Sequence, residues 1–260
     1  MKRMAHIYLQ YIKLSFASAA SYRTNFFFTV LISFLSNMLL PLVTLLIYAA
    51  EAQIPGWSFH EALLIQSVFM LCTGLCAPFL SNMVWMTMSH IREGTFDTLM
   101  LKPCGTVFIT IASAFDLENI GVALGGITMF VYSLANLPAP SLYNWVTFLF
   151  LFLTGILMTL GLVLIMAATT FKWVGNSRIF EIYDAVTAFG RYPGTIYGKA
   201  LAVLTTYVLP IGVLGFFPAS AILGRLTPQM LWACVPCVLF LLFGIYLFNK
   251  MTYLYQSAGG

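Results

Sequence analysis

Six stretches of this chain run without one charged side chain: Asn25–Ala50, Ala62–Ser89, Asn119–Leu137, Tyr143–Phe171, Ala200–Gly224 and Pro228–Asn249. Each is close to or longer than the roughly 20 apolar residues that span a hydrocarbon layer as a helix. The runs are continuously apolar rather than alternating, which excludes a β-barrel reading. Of the 260 residues only 8% are charged, where a soluble domain carries roughly 25%. So few charges cannot solvate a globule of this size, and a disordered chain would be polar and charge-rich. The mean hydropathy of +0.93 agrees. The expected fold class is an all-α polytopic membrane protein with six transmembrane helices.

Local chemistry marks several boundaries. Pro138 and Pro140 stop the third run, and Ser141 is suited to cap the fourth. Thr227-Pro228 pairs an N-cap residue with proline at the first helical position, as a start to the sixth. Pro41, Pro78, Pro210 and Pro236 lie inside runs and predict kinks whose freed carbonyls need partners within a bundle.

Charge sets the orientation. With the N-terminus inside and six spans threaded, eleven of the twelve Lys and Arg residues fall on the inner side and only Arg225 outside. That bias over short loops places both termini in the cytoplasm. Trp57, Trp145 and Trp232 then sit near the outer ends, and Trp85 and Trp173 near the inner ends, as interfacial rings prefer. The basic balance reads as topology, and no basic cluster stands apart from a membrane edge, so no nucleic-acid partner is expected. Residues 1–24 are too polar for a cleavable signal peptide.

Three inner segments are expected to be more than loops. Residues 1–24 form an amphipathic interfacial helix: Ala5, Tyr8, Leu9, Ile12, Phe16, Ala19 and Ala20 follow helical spacing, with Arg3, His6, Gln10 and Lys13 opposite. The remaining 25–260 form the six-helix domain. Within it, the loop 86–118 contains Ile91-Arg92-Glu93-Gly94-Thr95-Phe96-Asp97-Thr98-Leu99-Met100-Leu101-Lys102-Pro103. Gly94 suits a helix end, Thr95 a new cap, and Pro103 a stop. These residues alone leave open whether the loop is a solvated edge or a docking surface. In Ser177–Phe189, Ile179, Ile182, Tyr183, Val186 and Phe189 share one face, and Arg178, Glu181 and Asp184 another, which predicts a second surface helix. Arg191-Tyr192-Pro193 then restarts the chain toward the fifth run. Gly212, Gly215, Pro218 and Gly224 break the outer part of that run, which raises the alternative of a re-entrant dip.

The chain carries no Walker A sequence, no G-x-S-x-G and no second histidine to make His60-Glu61 a zinc-protease motif. No metal site and no catalytic residue is expected. Cys72, Cys76, Cys104, Cys234 and Cys237 read as small apolar thiols. The six runs hold no Asp, Glu, Lys, Arg or His, which argues against a proton-coupled transporter. Asp116 and Glu118 stand before the third run, where acids favour a helix start. Polar stripes do occur: Ser33, Asn37 and Thr44 in the first run, and Gln66, Thr73 and Ser81 in the second. They suit either interhelical packing or a translocation path or dimer interface. Gly121-x-x-x-Gly125 is a small-residue packing motif.

The segment Ile91–Pro103 is similar to the pattern I-R-x-G-x-x-D-x-x-L-L-[RK]-P of the permease subunits of type-2 ATP-binding-cassette exporters, with Met100 where leucine is usual. Asp116-Leu117-Glu118-Asn119-Ile120-Gly121, Arg191-Tyr192-Pro193 and Pro210-x-x-x-x-Gly215-Phe216-Phe217-Pro218-Ala219 resemble stretches of the bacterial branch. The resemblance covers nearly the whole chain. It implies that the loop is a coupling helix docking on a separate ATPase, with Ile91, Arg92, Glu93, Gly94, Asp97, Leu101, Lys102 and Pro103 as its residues. It further implies two ATPase copies, which hold the ATP and Mg, and a second six-helix permease, identical or homologous. This chain itself would hold no cofactor, and membrane lipid would surround it. The implied function is export of a hydrophobic or amphipathic substrate across a bacterial plasma (inner) membrane, along a path lined by spans one, two and five. The rival reading from a different class is a non-transporting membrane scaffold or immunity-type binding protein.

Overall fold

Helices follow one another along the chain and run between two ends of a single bundle. The computed structural model describes residues 2–173 and 178–256, without the side chains of Lys2 and Arg3. Ser177, the expected start of the third inner segment, lies outside the described residues. So does the Arg3 side chain of the expected polar face. We call the end that carries Trp57 upper and the end that carries residues 92–118 lower.

Helix α1 (Lys2–Ser21) lies at the lower end. A break at Tyr22, φ −109° and ψ 42°, separates it from α2 (Arg23–Ala49). Helix α3 (Phe59–Leu80) starts at the upper end in a capping box: Ser58 Oγ accepts from the Glu61 N–H, and the Ser58 N–H donates to Glu61 Oε2. It descends into α4 (Met83–Arg92) after a break at Ser81–Asn82. The Pro78 carbonyl that would have served the next turn accepts the Asp116 N–H at 2.8 Å. That carbonyl is freed by the break at Ser81–Asn82; the proline itself deprives the Gly74 carbonyl, one turn earlier, of its N–H. Two short helices, α5 (Phe96–Met100) and α6 (Thr106–Ser113), close the lower end.

The chain rises again in α7 (Ile120–Ala135) and descends in α8 (Leu142–Thr170), whose start is capped by Ser141 Oγ accepting from the Asn144 N–H. Small residues set the spacing between neighbours. A Cβ on Gly121 would meet the Val30 carbonyl of α2, one on Gly126 the Leu71 nitrogen, and one on Gly74 the Ala123 nitrogen at 2.5 Å. Gly121-x-x-x-Gly125 is thus a packing face against α2, where Gly125 meets Met38.

The fifth pass differs from the sequence expectation. Helix α9 (Arg178–Thr187) keeps the exposed polar face expected of it, with Arg178, Glu181 and Asp184 exposed and Thr187 buried. It climbs beside α3–α4 and continues through a 3₁₀ turn, Ala188–Arg191, and a second, Gly194–Ile196. Phe180 stacks on Trp85 at 4.9 Å, Arg191 lies over Phe69, and Thr195 Oγ1 accepts from Trp57 Nε1 at 2.9 Å. Those three partners mark the bottom, middle and top of the α3–α4 rod. Arg191 and Lys199 therefore leave the basic set expected at the lower end. The ionisable-free spans of the sequence reading need the same correction, since Arg191 sits at mid-depth.

The run Ala200–Gly224 is correspondingly not a continuous helix. Helix α10 (Lys199–Val203) passes into a π-helical turn, Leu204–Val208, then a 3₁₀ turn, Ile211–Leu214, then α11 (Phe216–Ile222). Pro210 offers no N–H and pushes Leu209 out of the helical region, to φ −122° and ψ 87°. The turn reaches the middle of the bundle: the Val213 carbonyl lies against Gly155, and Gly215 against the Ile65 and Gly190 carbonyls. It then returns to the upper end, where Asn144 Nδ2 donates to the Ile222 carbonyl at 3.2 Å. The segment is a hairpin that dips to mid-depth and comes back. The last pass is α12 (Pro228–Trp232) and α13 (Cys234–Leu254), interrupted at Ala233 by Pro236 in the next turn. Thr227 occupies the N-cap position with Pro228 behind it, but its side chain makes no capping bond.

Among the described residues four helical stretches are long and apolar enough to cross a membrane: Arg23–Ala49, Phe59–Arg92, Leu142–Thr170 and Pro228–Leu254. Helices α2 and α13 expose rows of large apolar side chains, among them Leu39, Leu46, Leu239 and Phe243. Such faces need a nonaqueous neighbour.

Candidate functional site

Two arrangements stand out, one at the lower end and one inside the bundle. The first is the loop between α4 and α6. Helix α4 ends in a Schellman motif: Gly94 takes φ +68°, its N–H donates to the Ile91 carbonyl, and the Thr95 N–H donates to the His90 carbonyl. Thr95 occupies the N-cap position of α5 without a capping bond; its hydroxyl pairs with His90 Nδ1 at 2.7 Å. Ile91, Phe96 and Leu99 are buried. Phe96 stands edge-on to Phe171 at 5.0 Å and to Tyr255 at 5.4 Å, which anchors α5 to the ends of α8 and α13.

With those three side chains turned inward, the opposite face is presented outward. Leu101 is 84% exposed, and Arg92, Glu93 and Pro103 are exposed beside it. Asp97 is half-buried. Glu93 accepts from Ser89 Oγ at 2.6 Å. Lys102 does not project freely: its Nζ donates to the Tyr11 hydroxyl at 2.6 Å and so ties the loop to α1. Helix α1 is held from the other side by Tyr8, which packs on Phe79, Phe108 and Phe115. Burial among these rings raises the Tyr8 phenol above its ordinary value. An apolar side chain is thus held out on a rigid foot, between charges, where covering a leucine would contribute about 1.5–3 kcal/mol.

The second arrangement is a cavity of about 260 Å³ between α2, α3, α7, α8 and α9. Of the six polar residues singled out in the first two apolar runs, Asn37, Thr73 and Ser81 line it. Asn119 joins them, donating to Ser81 Oγ at 3.2 Å. Thr44 and Gln66 instead bond to each other across α2 and α3, with Gln66 Nε2 donating to Thr44 Oγ1 at 2.7 Å. Ser33 lies in the α2–α7 contact, against Gly121. The polar stripes thus divide between interhelical packing and a cavity wall.

The sequence reading missed the wall that α9 supplies: Tyr183, Asp184, Thr187 and Arg191. Asp184, Thr187 and Arg191 recur at i, i+3 and i+7, so a polar stripe at helical spacing was present there too. Arg191 also borders a smaller cavity of about 60 Å³ with Asn37 and Gln66. All five cysteines are free. Among the described residues no group of three or more His, Cys, Asp or Glu side chains is placed to hold a metal ion.

A family model described as ABC-2 family transporter protein matches residues 11–259 of the chain. No curated protein and no solved structure matches it significantly.

Proposed function

The chain belongs to the ABC-2 transporter family, and on that premise we propose that it is the permease subunit of an ATP-binding-cassette exporter. It moves a hydrophobic or amphipathic substrate across a bacterial plasma membrane, using ATP hydrolysed by a separate subunit. The observation that carries the reading is the lower-end loop: Phe96 anchors it to the bundle, and Leu101 stands out from it 84% exposed. The lower end is the cytoplasmic side, in keeping with the cations that remain there.

On this reading two ATPase copies engage two permeases, identical or homologous. Arg92, Glu93, Asp97 and Leu101 face the ATPase, while Gly94 and Pro103 shape the loop and Lys102 fastens it to α1. Because α5 is packed on the ends of α8 and α13, ATPase closure moves those helix ends as a rigid body. ATP and Mg belong to the ATPase, and the permease contributes no catalytic group.

The test is a gentle detergent pull-down of the tagged chain from its native host, with mass spectrometry of what is retained. Recovery of a Walker-A ATPase supports the exporter, and a second six-helix chain beside it defines the dimer. The chain recovered alone, in several detergents and with nucleotide present, overturns it in favour of a membrane scaffold. In the reconstituted complex, Asp97→Lys uncouples ATP hydrolysis from transport while insertion is unaffected.

A further inference from the structure

Arg191 presents a problem that the fold does not solve for it. Its guanidinium is always ionised and lies 4.9 Å over the Phe69 ring, halfway along α3. Its Nε is buried without a hydrogen-bond partner. Among the described residues the ion pair is Arg225 with Glu61, so no carboxylate stands within 4.0 Å of Arg191. Asp184 borders the same larger cavity two turns below, but does not pair with it. The cation–π contact offsets part of the cost of an intramembrane charge, but the ring gives the buried Nε–H no acceptor, and the guanidinium borders cavity space.

A second orphan faces the same space. Gln66 is 1% exposed, spends its amide N–H on Thr44, and leaves Oε1 buried with no partner. Gln66, Asn37 and Arg191 together border the small cavity, and Arg191 with Asn37 borders the larger one below it. A planar cationic donor, a neutral acceptor and an amide around two small cavities that share Asn37, Phe69 and Arg191 in their walls form a receptor for an oxyanion. An oxyanion is the one common group that neutralises the arginine and accepts its N–H bonds; a hydroxyl or protonated oxygen beside it would serve Gln66 Oε1.

We propose that Arg191, with Gln66 and Asn37, binds the phosphate or carboxylate head of an amphipathic anion at mid-depth between α2, α3 and α9. This deepens the exporter reading and rests on it, by naming the charge class of the cargo. The 3₁₀ turn Ala188–Arg191 is what aims the guanidinium inward, and Gly190 permits its close approach to the Ile211 carbonyl of the hairpin. An occupant would therefore touch the fifth pass and, through it, the hairpin.

The test uses the purified full chain in a neutral maltoside detergent and reads its melting temperature. The probes are dioctanoyl phosphatidic acid, decanoate and glycerol 3-phosphate, with dioctanoylglycerol as the uncharged control. A specific ligand at a hundredfold excess over its Kd raises the melting temperature by several degrees. At least one anion should do so and the neutral lipid should not. A response to the two amphiphiles alone marks entry from the bilayer; a response to glycerol 3-phosphate as well marks entry of a soluble anion. In R191Q the response should vanish, and the ligand-free protein should melt no lower than wild type, because a buried unpaired charge has been removed. If R191Q does not fold, R191K keeps the charge without the fork and should bind about tenfold more weakly. A wild type unmoved by every anion, an R191Q that responds like wild type, an R191Q that folds but melts lower without ligand, or an R191K of unchanged affinity overturns the site. Failure to recover an ATPase, by contrast, bears on the exporter reading and leaves this binding result standing.

Discussion

Arg225 Nη2 lies 2.6 Å from Glu61 Oε1, and this ion pair joins the returning end of the mid-depth hairpin to the first turn of α3. Arg225 also donates to the Gly56 carbonyl at 3.1 Å and covers the Trp57 ring at 4.8 Å. Trp57 in turn holds Thr195 of the fifth pass. One cluster at the upper end, in which Arg225 is exposed and Trp57 buried, thus fastens three elements that are far apart in sequence, while the hairpin's apolar body is buried below it.

Glu61 serves this cluster and the α3 capping box at once, so its two roles separate by mutation. Arg225→Ala should cost about 0.2–1 kcal/mol, as exposed pairs do. Glu61→Ala should cost more, about 1–2 kcal/mol, since the Ser58 N–H loses its acceptor as well. In the double variant the losses should not add. Thermal melts in detergent of the two singles and the double check this; strict additivity would mean that the pair contributes nothing.

The glycines that set helix spacing give a second expectation. Gly74→Ala drives a methyl into the Ala123 backbone, where no flexible side chain can yield. It should destabilise by about 1–3 kcal/mol, in the range of overpacking. Gly105→Ala meets nothing within 4 Å and should be near neutral. Melting temperatures of the two variants, side by side, distinguish packing from a general loss of glycine freedom.

Much of this fold was legible because hydropathy reports the solvent. Ser141, Gly94, Pro78 and Gly121 each did locally what their chemistry required. The fifth pass was not legible, because its apolar signal and its position in the bundle belong to different segments. Residues 200–224 carry the apolar run but form the hairpin; residues 178–197 carry charges yet climb the bundle, because Phe180 stacks on Trp85 of α4 and Gly190 fits against Phe69 of α3 and Ile211 of the hairpin. An arginine was read at the membrane edge for the same reason. A span count rewards uniform apolarity, and Arg191 lies where apolarity was given up. Lys102 shows a smaller limit: the motif placed it on the loop, and nothing in the motif showed that Tyr11 of α1 would bind it.

Depth within the hairpin is open to direct labelling. In a chain whose native cysteines are replaced, single cysteines at Thr227 and at Leu214 should differ sharply toward a membrane-impermeant maleimide in intact cells. Thr227 should react and Leu214, fully buried at the turn, should not. Cysteine at Thr98 on the lower loop should react only once the membrane is opened. Labelling of Leu214 at the rate of Thr227 would place the turn at the surface, and labelling of Thr98 in intact cells would invert the orientation.

The lower-end loop makes the sharpest contrast, because neighbouring residues face opposite ways. Phe96 is fully buried among Phe171, Tyr255 and Leu99, so Phe96→Ala should cost about 3–5 kcal/mol and lower the melting temperature of the isolated permease. Leu101→Ala removes an exposed side chain and should leave that temperature unchanged. In the assembled complex the order reverses in kind. Leu101→Ala should weaken retention of the ATPase by about tenfold, the effect of losing roughly 1.4 kcal/mol of buried apolar contact. Pull-down yield against melting temperature resolves the two variants. If Leu101→Ala lowers the melting temperature of the permease alone, the side chain is part of the fold. If it leaves both measurements at wild-type values, the outward face of α5 is not where the ATPase sits.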